Sequence, residues 1–493
     1  MGENKQYKLK RPLILASVML GMFLAAIEAT IVATAMPTII SDLGGFSLYS
    51  WVFSAYLLTN AATVLIFGKL ADIFGRKPIF IIGVLIFLTG STLSGFSTSI
   101  VMLIIARFIQ GCGAGALMPI ATTIVGDIYN KEERAKIQGY LSGVWGISAV
   151  SGPLLGGFFV DVLDWRFVFW MNIPLGLIAM LGIIFFLRED VQKTKQSIDY
   201  GGAIWIVLAV SALMFILVEG GISIKWDSTI MYLLILVSLS AFALFFVQQK
   251  RTTEPMMPFE IWKYRLITYA NVTSLTTGMI MIGVSSYLPA FVQGVMGETA
   301  TVAGFTLTTM SIGWPIASTI AGRLLLVIGY RKTALIGGVS LIVGALLFFF
   351  LSPEKGPIWA GTASFFIGIG MGMTNTTFIV GIQSTVGWDL RGIATATNMF
   401  MRSLGSALGV AFLGGLLNNV IKKHIESQQV DANISVDAAN QLLDPVMSTS
   451  LPDHVKDVLE GGLTSGLHLV YTCLLILAII SLVLIYLMPK KVN

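Results

Sequence analysis

The chain has 493 residues, of which 55% are hydrophobic and only 12% charged, and its mean hydropathy is +0.84. A soluble globular protein carries roughly 25% charge, so this sequence has too little polar surface to cover a water-facing fold. The net charge of +5 tracks loop position rather than a basic patch, which excludes nucleic acid as the partner.

Apolar runs near the length of a bilayer-crossing helix fall at about 12–36, 49–70, 79–97, 100–127, 138–162, 167–187, 199–219, 229–248, 266–293, 300–326, 333–351, 357–381, 392–417 and 467–489. That predicts fourteen spans joined mostly by short loops, with one long polar stretch at about 418–466 that contains helix-like pieces. The first run is too long for a leader's apolar core and shows no clear cleavage site, so no cleavable signal is expected. With the N-terminus inside, inner segments hold 23 Lys and Arg and outer segments 6, while Arg107 and Arg402 lie within spans. The positive-inside rule then puts both termini in the cytoplasm and the long loop outside. Cys112 and Cys473 sit in apolar runs, and His424, His454 and His468 fall in or beside the long loop. No disulfide, metal site or catalytic centre is expected from them.

In chain order, span 1 carries Glu28 midway, with no other charge in the neighbouring turns. Apolar surroundings disfavour a charged carboxylate and a nearby cation favours it, so a group between the two can bind a proton on one side and release it on the other. Its plainer reading is a hydrogen-bonded structural acid. The loop after span 2 reads Gly68-Lys69-Leu70-Ala71-Asp72-Ile73-Phe74-Gly75-Arg76-Lys77. Its glycines permit tight turning, and Asp72 can accept from a helix N-terminus or a neighbouring Arg. Span 4 holds Arg107, followed by Gly111, Gly113 and Gly115. An arginine inside an apolar helix costs a few kcal/mol and needs a partner or a wet cavity; it either tunes a nearby carboxylate or clamps backbone carbonyls. Asp127 and Asp161 lie near span ends and read as solvated, and Glu219 stands at the edge of span 7. Span 5 has Gly143, Gly146, Gly152, Pro153, Gly156 and Gly157, a groove of small residues with a proline bend.

The chain also repeats itself. Gly68, Lys69, Leu70, Gly75 and Lys77 recur as Gly322, Arg323, Leu324, Gly329 and Arg331, displaced by 254. Gly113, Gly115, Arg134, Gly152 and Gly157 recur as Gly370, Gly372, Arg391, Gly409 and Gly414, displaced by 257. The predicted domains are a six-helix half over 1–190, two inserted spans over 191–255, and a second half over 256–493 that carries the outer loop. Parallel repeats of this kind place a cavity near the midplane between halves. Asp72 is replaced by Leu326 and Arg107 by Ser364 in the second half, so what those charges do belongs to the first.

The stretch from Gly68 to Lys77 resembles the loop signature of the major facilitator superfamily, Arg107 to Gly115 resembles its span-4 motif, and Gly143 to Gly157 its span-5 antiporter motif. Glu28 to Pro37, Trp165 to Pro174, Tyr287-Leu288-Pro289 and Gln293 are similar to the fourteen-span drug:proton antiporter branch, which commonly has Asp where this chain has Glu28. The resemblance covers nearly the whole chain. It implies an all-α membrane protein of two six-helix halves plus two inserted helices, exporting lipophilic and often cationic drugs in exchange for protons. It assigns proton coupling to Glu28 and Arg107, conformational switching to Gly68, Asp72, Gly75, Arg76 and Arg134, and the antiporter motif to Gly152, Pro153, Gly156 and Gly157. The expected setting is a monomer among the lipids of a bacterial plasma membrane, with protons as coupling ion and no cofactor or metal. Substrate-facing candidates are Tyr56, Asn60, Trp145, Tyr287, Gln293, Trp314, Asn375, Asn398 and Arg402, since aromatic faces attract cations and flat rings; each has packing as its plainer reading. Two other functions compete: export of one endogenous metabolite, lipid or siderophore, and a membrane receptor or scaffold without transport.

Overall fold

The computed structural model describes residues 2–129, 131–189, 199–221, 223–252, 255, 257, 259–386, 388–428, 436–439, 442 and 452–489. The described chain is helical: α1 (Gly2–Leu43), α2 (Tyr49–Phe74), α3 (Arg76–Gly95), α4 (Ile100–Ile128), α5 (Lys131–Val162), the single turn α6 (Phe167–Trp170), α7 (Asn172–Phe186), α8 (Tyr200–Glu219), α9 (Thr229–Arg251), α10 (Arg265–Gly294), α11 (Ala300–Ile328), α12 (Tyr330–Phe349), α13 (Gly356–Thr385), α14 (Trp388–Ser427) and α15 (Asp453–Leu487). Among the described residues, twelve stretches are long and apolar enough to cross a membrane by length and composition, with α6 and α7 together making one of them. The helices α2 and α5 are also long, with 26 and 32 residues, and Gly146–Val162 is a described apolar stretch of α5.

Helix ends depart from the expected spans where polar residues follow an apolar run. α1 continues through Pro37 to Leu43; a proline removes one hydrogen bond, and packing on both flanks holds the helix through it. Within 418–466, expected as a long polar stretch with helix-like pieces such as Pro452–Leu459, the described residues are mostly helical extension: α14 continues to Ser427 and α15 begins at Asp453. Leu417, Ile421 and Ile425 on one extension and Val458, Leu459 and Leu463 on the other are buried in one cluster, which gives the polar-looking segment its apolar seam. Residues 429–435, 440–441 and 443–451 of that stretch lie outside the described residues.

The packing repeats as the sequence does. α2 and α3 both lie on α4, and α11 and α12 both lie on α13. α1 lies on α5 and α7, and α10 lies on α14 and α15. Two turns mark the repeat most clearly: Gly75 (φ 97°) and Gly329 (φ 80°) each end one helix and start the next with a positive φ that a side chain would strain. α8 and α9 pack on each other, and α8 also lies against α2 of one half and α14 of the other.

The described hydrogen bonds between halves gather at the end of the bundle away from both termini. Tyr49 Oη donates to Ser286 O (2.5 Å), and Ser50 Oγ meets Tyr287 Oη (3.1 Å). Gln293 Nε2 donates to Thr34 O (3.3 Å), and Asn418 Nδ2 to Ser47 O (2.7 Å). Asp161 accepts from Thr301 N (3.0 Å) and from its hydroxyl, at the start of α11. Glycines let the halves meet there: a Cβ on Gly157 of α5 would stand 2.6 Å from Thr301 Cα, and one on Gly304 of α11 would stand 2.4 Å from Pro153 O, while Gly156 meets Ile31 O of α1 within its own half. At the other end Leu326 and Val327 are 89% and 80% exposed, and nothing stands within 4 Å of a Cβ built on Gly322.

Candidate functional site

Glu28 is fully buried on α1, among Ile27 and Ile31, and its partner is Arg107 of α4, also fully buried. The guanidinium Nη1 donates to Glu28 Oε1 and to Gln110 Oε1 (2.7 Å), and Nε donates to Val52 O (3.4 Å). Gln110 stands three residues after Arg107, on the same helix face. The ring of Tyr56 lies 4.1 Å below the guanidinium carbon, a cation–π contact. On the far side of the carboxylate, Asn172 Nδ2 donates to Glu28 Oε2 (2.8 Å) and to Ser91 Oγ (2.9 Å), and Ser91 Oγ donates to Phe169 O (2.8 Å). Five helices of the first half, α1, α2, α3, α4 and α7, therefore meet on one ion pair.

Close helix approach makes this possible. Gly111 faces Tyr56, and a Cβ there would stand 2.9 Å from Tyr56 Cα, so α2 reaches the level of Arg107 only because α4 has no side chain at that point. Val52 lies in the first turn of α2 and Arg107 two turns into α4, so the pair sits near the end where the halves are closed. A buried pair is held by Coulomb attraction only if the remaining donors and acceptors are satisfied. Glu28 meets this with two described donors. Arg107 meets it with three acceptors and a ring, so it keeps partners when the carboxylate is neutral.

The sequence named Glu28 and Arg107 but not Gln110, Ser91 or Asn172. Gln110 and Asn172 fall inside motif stretches, yet neutral amides in helices carry no signal until a charge is placed beside them. Glu189 is a second missed residue: its two carboxylate oxygens accept from Arg76 N (2.7 Å) and Lys77 N (2.8 Å) at the start of α3. Lys77 Nζ in turn donates to Ile184 O (2.7 Å) and Leu187 O (2.8 Å) at the end of α7. That reciprocal cap fixes the Gly75 turn. The side chains of Asp72, Arg134 and Trp145, with Gly68, lie outside the described residues. Asp161, read as solvated, is exposed yet ties the halves through Thr301, and Glu219 accepts from Trp51 Nε1 (2.9 Å).

The antiporter-motif residues pack on helices around them. Gly152 faces Thr30 and Ile27 O, Gly156 faces Ile31, and Pro153 O faces Gly304. The substrate candidates do not form one cluster. Tyr56 is buried under Arg107. Tyr287 is fully buried, and its hydroxyl donates to Val410 O (2.8 Å). Asn398 is buried and donates to Asn271 Oδ1 (3.0 Å) and Ser274 Oγ (2.9 Å). Gln293 joins the closed end. Asn60, Trp314, Asn375 and Arg402 are half-buried, and Arg402 Nη1 donates to Asn375 Oδ1 (2.5 Å).

Comparisons with known proteins agree with this architecture. Residues 18–410 match the Major Facilitator Superfamily family model. The chain is 34% identical to Multidrug resistance protein 3 of Bacillus subtilis, covering 97% of this chain and 95% of that one. It is 31% identical to Multidrug transporter protein MdtP of the same organism, covering 100% and 95%. Among solved structures it is similar to a bacterial homolog of the human lysosomal transporter Spinster, with TM-score 0.68, 16% identity, and coverage of 97% of this chain and 96% of that one.

Proposed function

The chain belongs to the Major Facilitator Superfamily, and from that premise we propose that it is a proton-coupled antiporter that exports lipophilic, often cationic, drugs by alternating access. The relatives named for multidrug resistance and multidrug transport support the cargo class. The observation that carries the coupling is the buried pair of Glu28 and Arg107. A neutral amide or an apolar residue would fill the space at lower cost, and an intramembrane carboxylate next to an arginine is a site where a proton can replace a salt bridge.

The chemistry of one cycle follows from the partners. With Glu28 ionised, the pair is neutral overall and the halves hold together at the outer end. When the halves part there, water reaches the first turns of α2 and α4, and Glu28 takes a proton. Arg107 stays in place on Val52 O, Gln110 and the Tyr56 ring, so protonation alters charge without collapsing the site. Reclosure returns Glu28 to its buried place, the proton leaves toward the cytoplasm, and the pair re-forms. Substrate enters on the inner side while the pair is intact and leaves on the outer side. Coupling requires that proton and substrate bind the two conformations differently, since a ligand shifts an equilibrium only by its differential affinity. The protein acts as a monomer in a bacterial plasma membrane, with both termini cytoplasmic, fourteen crossings, and protons as coupling ion without another cofactor.

The test is substrate-induced proton movement. Purified protein in proteoliposomes with a pH dye inside is given cationic and neutral drugs. Proton flux that depends on the drug and on Glu28 supports the reading; drug flux unlinked to protons refutes it.

A further inference from the structure

Among the described residues, the second half holds one charge midway along an apolar span, Arg402. Arg402 stands on α14 beside Gly278, the middle of α10, because its carbonyl faces that glycine and receives the Ser406 hydroxyl (3.2 Å). Its neighbours Phe400 and Leu404 pack into the cluster shared with α8, whereas the guanidinium is directed to α13, where Nη1 donates to Asn375 Oδ1. Arg107 shows what a settled membrane arginine looks like: fully buried, with a carboxylate, an amide, a carbonyl and a ring. Arg402 has an amide as its one described side-chain partner and no carboxylate within ion-pair distance among the described residues, and both it and Asn375 are half-buried rather than sealed. A guanidinium has five N–H donors in a planar fork, of which the Asn375 bond occupies one. A charge this deep, oriented by a neutral amide and still accessible, is a receptor for an acid.

We propose that Arg402, oriented by Asn375, is an anion subsite that takes the carboxylate of the exported molecule, so that the substrates include amphoteric compounds pairing an aromatic cation with an acid. The inference rests on the export reading above. A substrate with no acid meets an uncompensated positive charge at Arg402, while one with a carboxylate fills the fork in the bidentate geometry that guanidinium favours. Asn375 matters as an aligner: its carbonyl oxygen fixes one edge of the fork and leaves the other for the ligand.

The experiment uses the full-length protein in lipid nanodiscs and two fluorescent probes that differ at one group, a rhodamine bearing a free benzoate and the methyl ester of the same dye, read by fluorescence anisotropy. Export of both is followed in proteoliposomes. Arg402→Gln is expected to weaken binding of the acid about tenfold or more and that of the ester less than about threefold, with Arg402→Lys between wild type and Arg402→Gln for the acid. Asn375→Asp keeps the arginine and supplies the missing carboxylate; it should also lower acid binding selectively, which a purely structural role for Arg402 does not foresee. Equal losses for acid and ester in Arg402→Gln, or no selective change in Asn375→Asp, overturn the subsite while ester export stands. Failure of the wild-type protein to export either dye overturns the export reading and the subsite with it.

Discussion

Replacing Glu28 with Gln removes the proton-binding group and leaves its shape. Two described hydrogen bonds end on the carboxylate, from Arg107 and from Asn172. Bonds to a charged group contribute about 1.5–3 kcal/mol against about 1 for a neutral pair, so an isosteric amide forfeits roughly 1–4 kcal/mol over the two. Part of this is returned, because the buried carboxylate's desolvation cost disappears. The new amide nitrogen also finds an acceptor: Asn172 Oδ1 has no described partner, and a flipped Asn172 can offer it. Arg107 keeps Val52 O, Gln110 and the Tyr56 ring. Glu28→Gln should therefore fold and insert, with a modest loss of thermal stability. Arg107→Met, which strands the carboxylate, should cost about 3–5 kcal/mol. In proteoliposomes Glu28→Gln should show no drug-induced proton movement and no accumulation driven by a pH gradient, while downhill drug exchange continues. Gradient-driven accumulation at the wild-type level by this variant would refute the coupling role.

Four further outcomes are expected. Asp72→Asn should lower turnover more than drug binding, measured as transport rate against equilibrium affinity; weaker binding at unchanged turnover places Asp72 beside the cargo instead. Gly152→Ala puts a methyl group against Thr30 and Ile27 O, so it should cost about 1–3 kcal/mol by overpacking, read as a lower unfolding temperature with reduced transport. Asp161→Ala removes the acceptor for Thr301 at the closed end; exposed contacts of this kind contribute about 0.5–1 kcal/mol, which predicts a roughly two- to fivefold gain in outward-open protein by spin-label distances. Locking α8 to α2 through a Trp51→Cys/Phe215→Cys disulfide should stop transport, read as drug flux in proteoliposomes before and after reduction of the bond.

What could be read from the sequence was set by how unusual each residue is in its surroundings. Glu28 and Arg107 were legible because a charge in an apolar run demands a partner, and each is the other's. The repeat was legible because the positive-φ turns at Gly75 and Gly329 tolerate little else. Helix ends at Leu43 and Ser427 were not legible, since those turns are polar in composition and are held by contacts distant in sequence, whereas the helix-like piece read at Pro452–Leu459 falls at the start of α15. The substrate candidates fared unevenly for a related reason. An aromatic or amide residue in a span reads alike whether it packs or faces a cavity, and Tyr287 and Asn398 turn out to spend their polar atoms on neighbouring helices. Asn172 and Gln110 carried the opposite error: bland in sequence, they complete the ion-pair site.

The inserted pair was placed along the chain by its apolar runs, but not in the bundle, and its packing bears on how the halves can move. α8 is fastened to α14 by Asn419 Nδ2 on Gly220 O (3.0 Å), by Lys422 Nζ on Gly221 O (3.1 Å), and by Gly415 lying against the Leu217 carbonyl. Toward α2 it has the Trp51–Glu219 bond and the Trp51–Phe215 ring contact, with centroids 4.5 Å apart, over an otherwise apolar face that includes Leu58. α2 and α14 belong to different halves, so rocking must strain one set of contacts. Apolar surfaces slide with little directional loss, whereas backbone carbonyls stripped of their donors carry the full penalty of an unpaired group. The α8–α9 pair is therefore expected to travel with the second half, with its seam against α2 as the sliding surface. At the other seam, between α5 and α11, no such cover stands among the described residues, and there the halves meet directly through Gly157, Pro153 and Gly304. The two flanks of the transporter are thus mechanically unequal: one is padded by inserted helices, and the other closes on bare backbone.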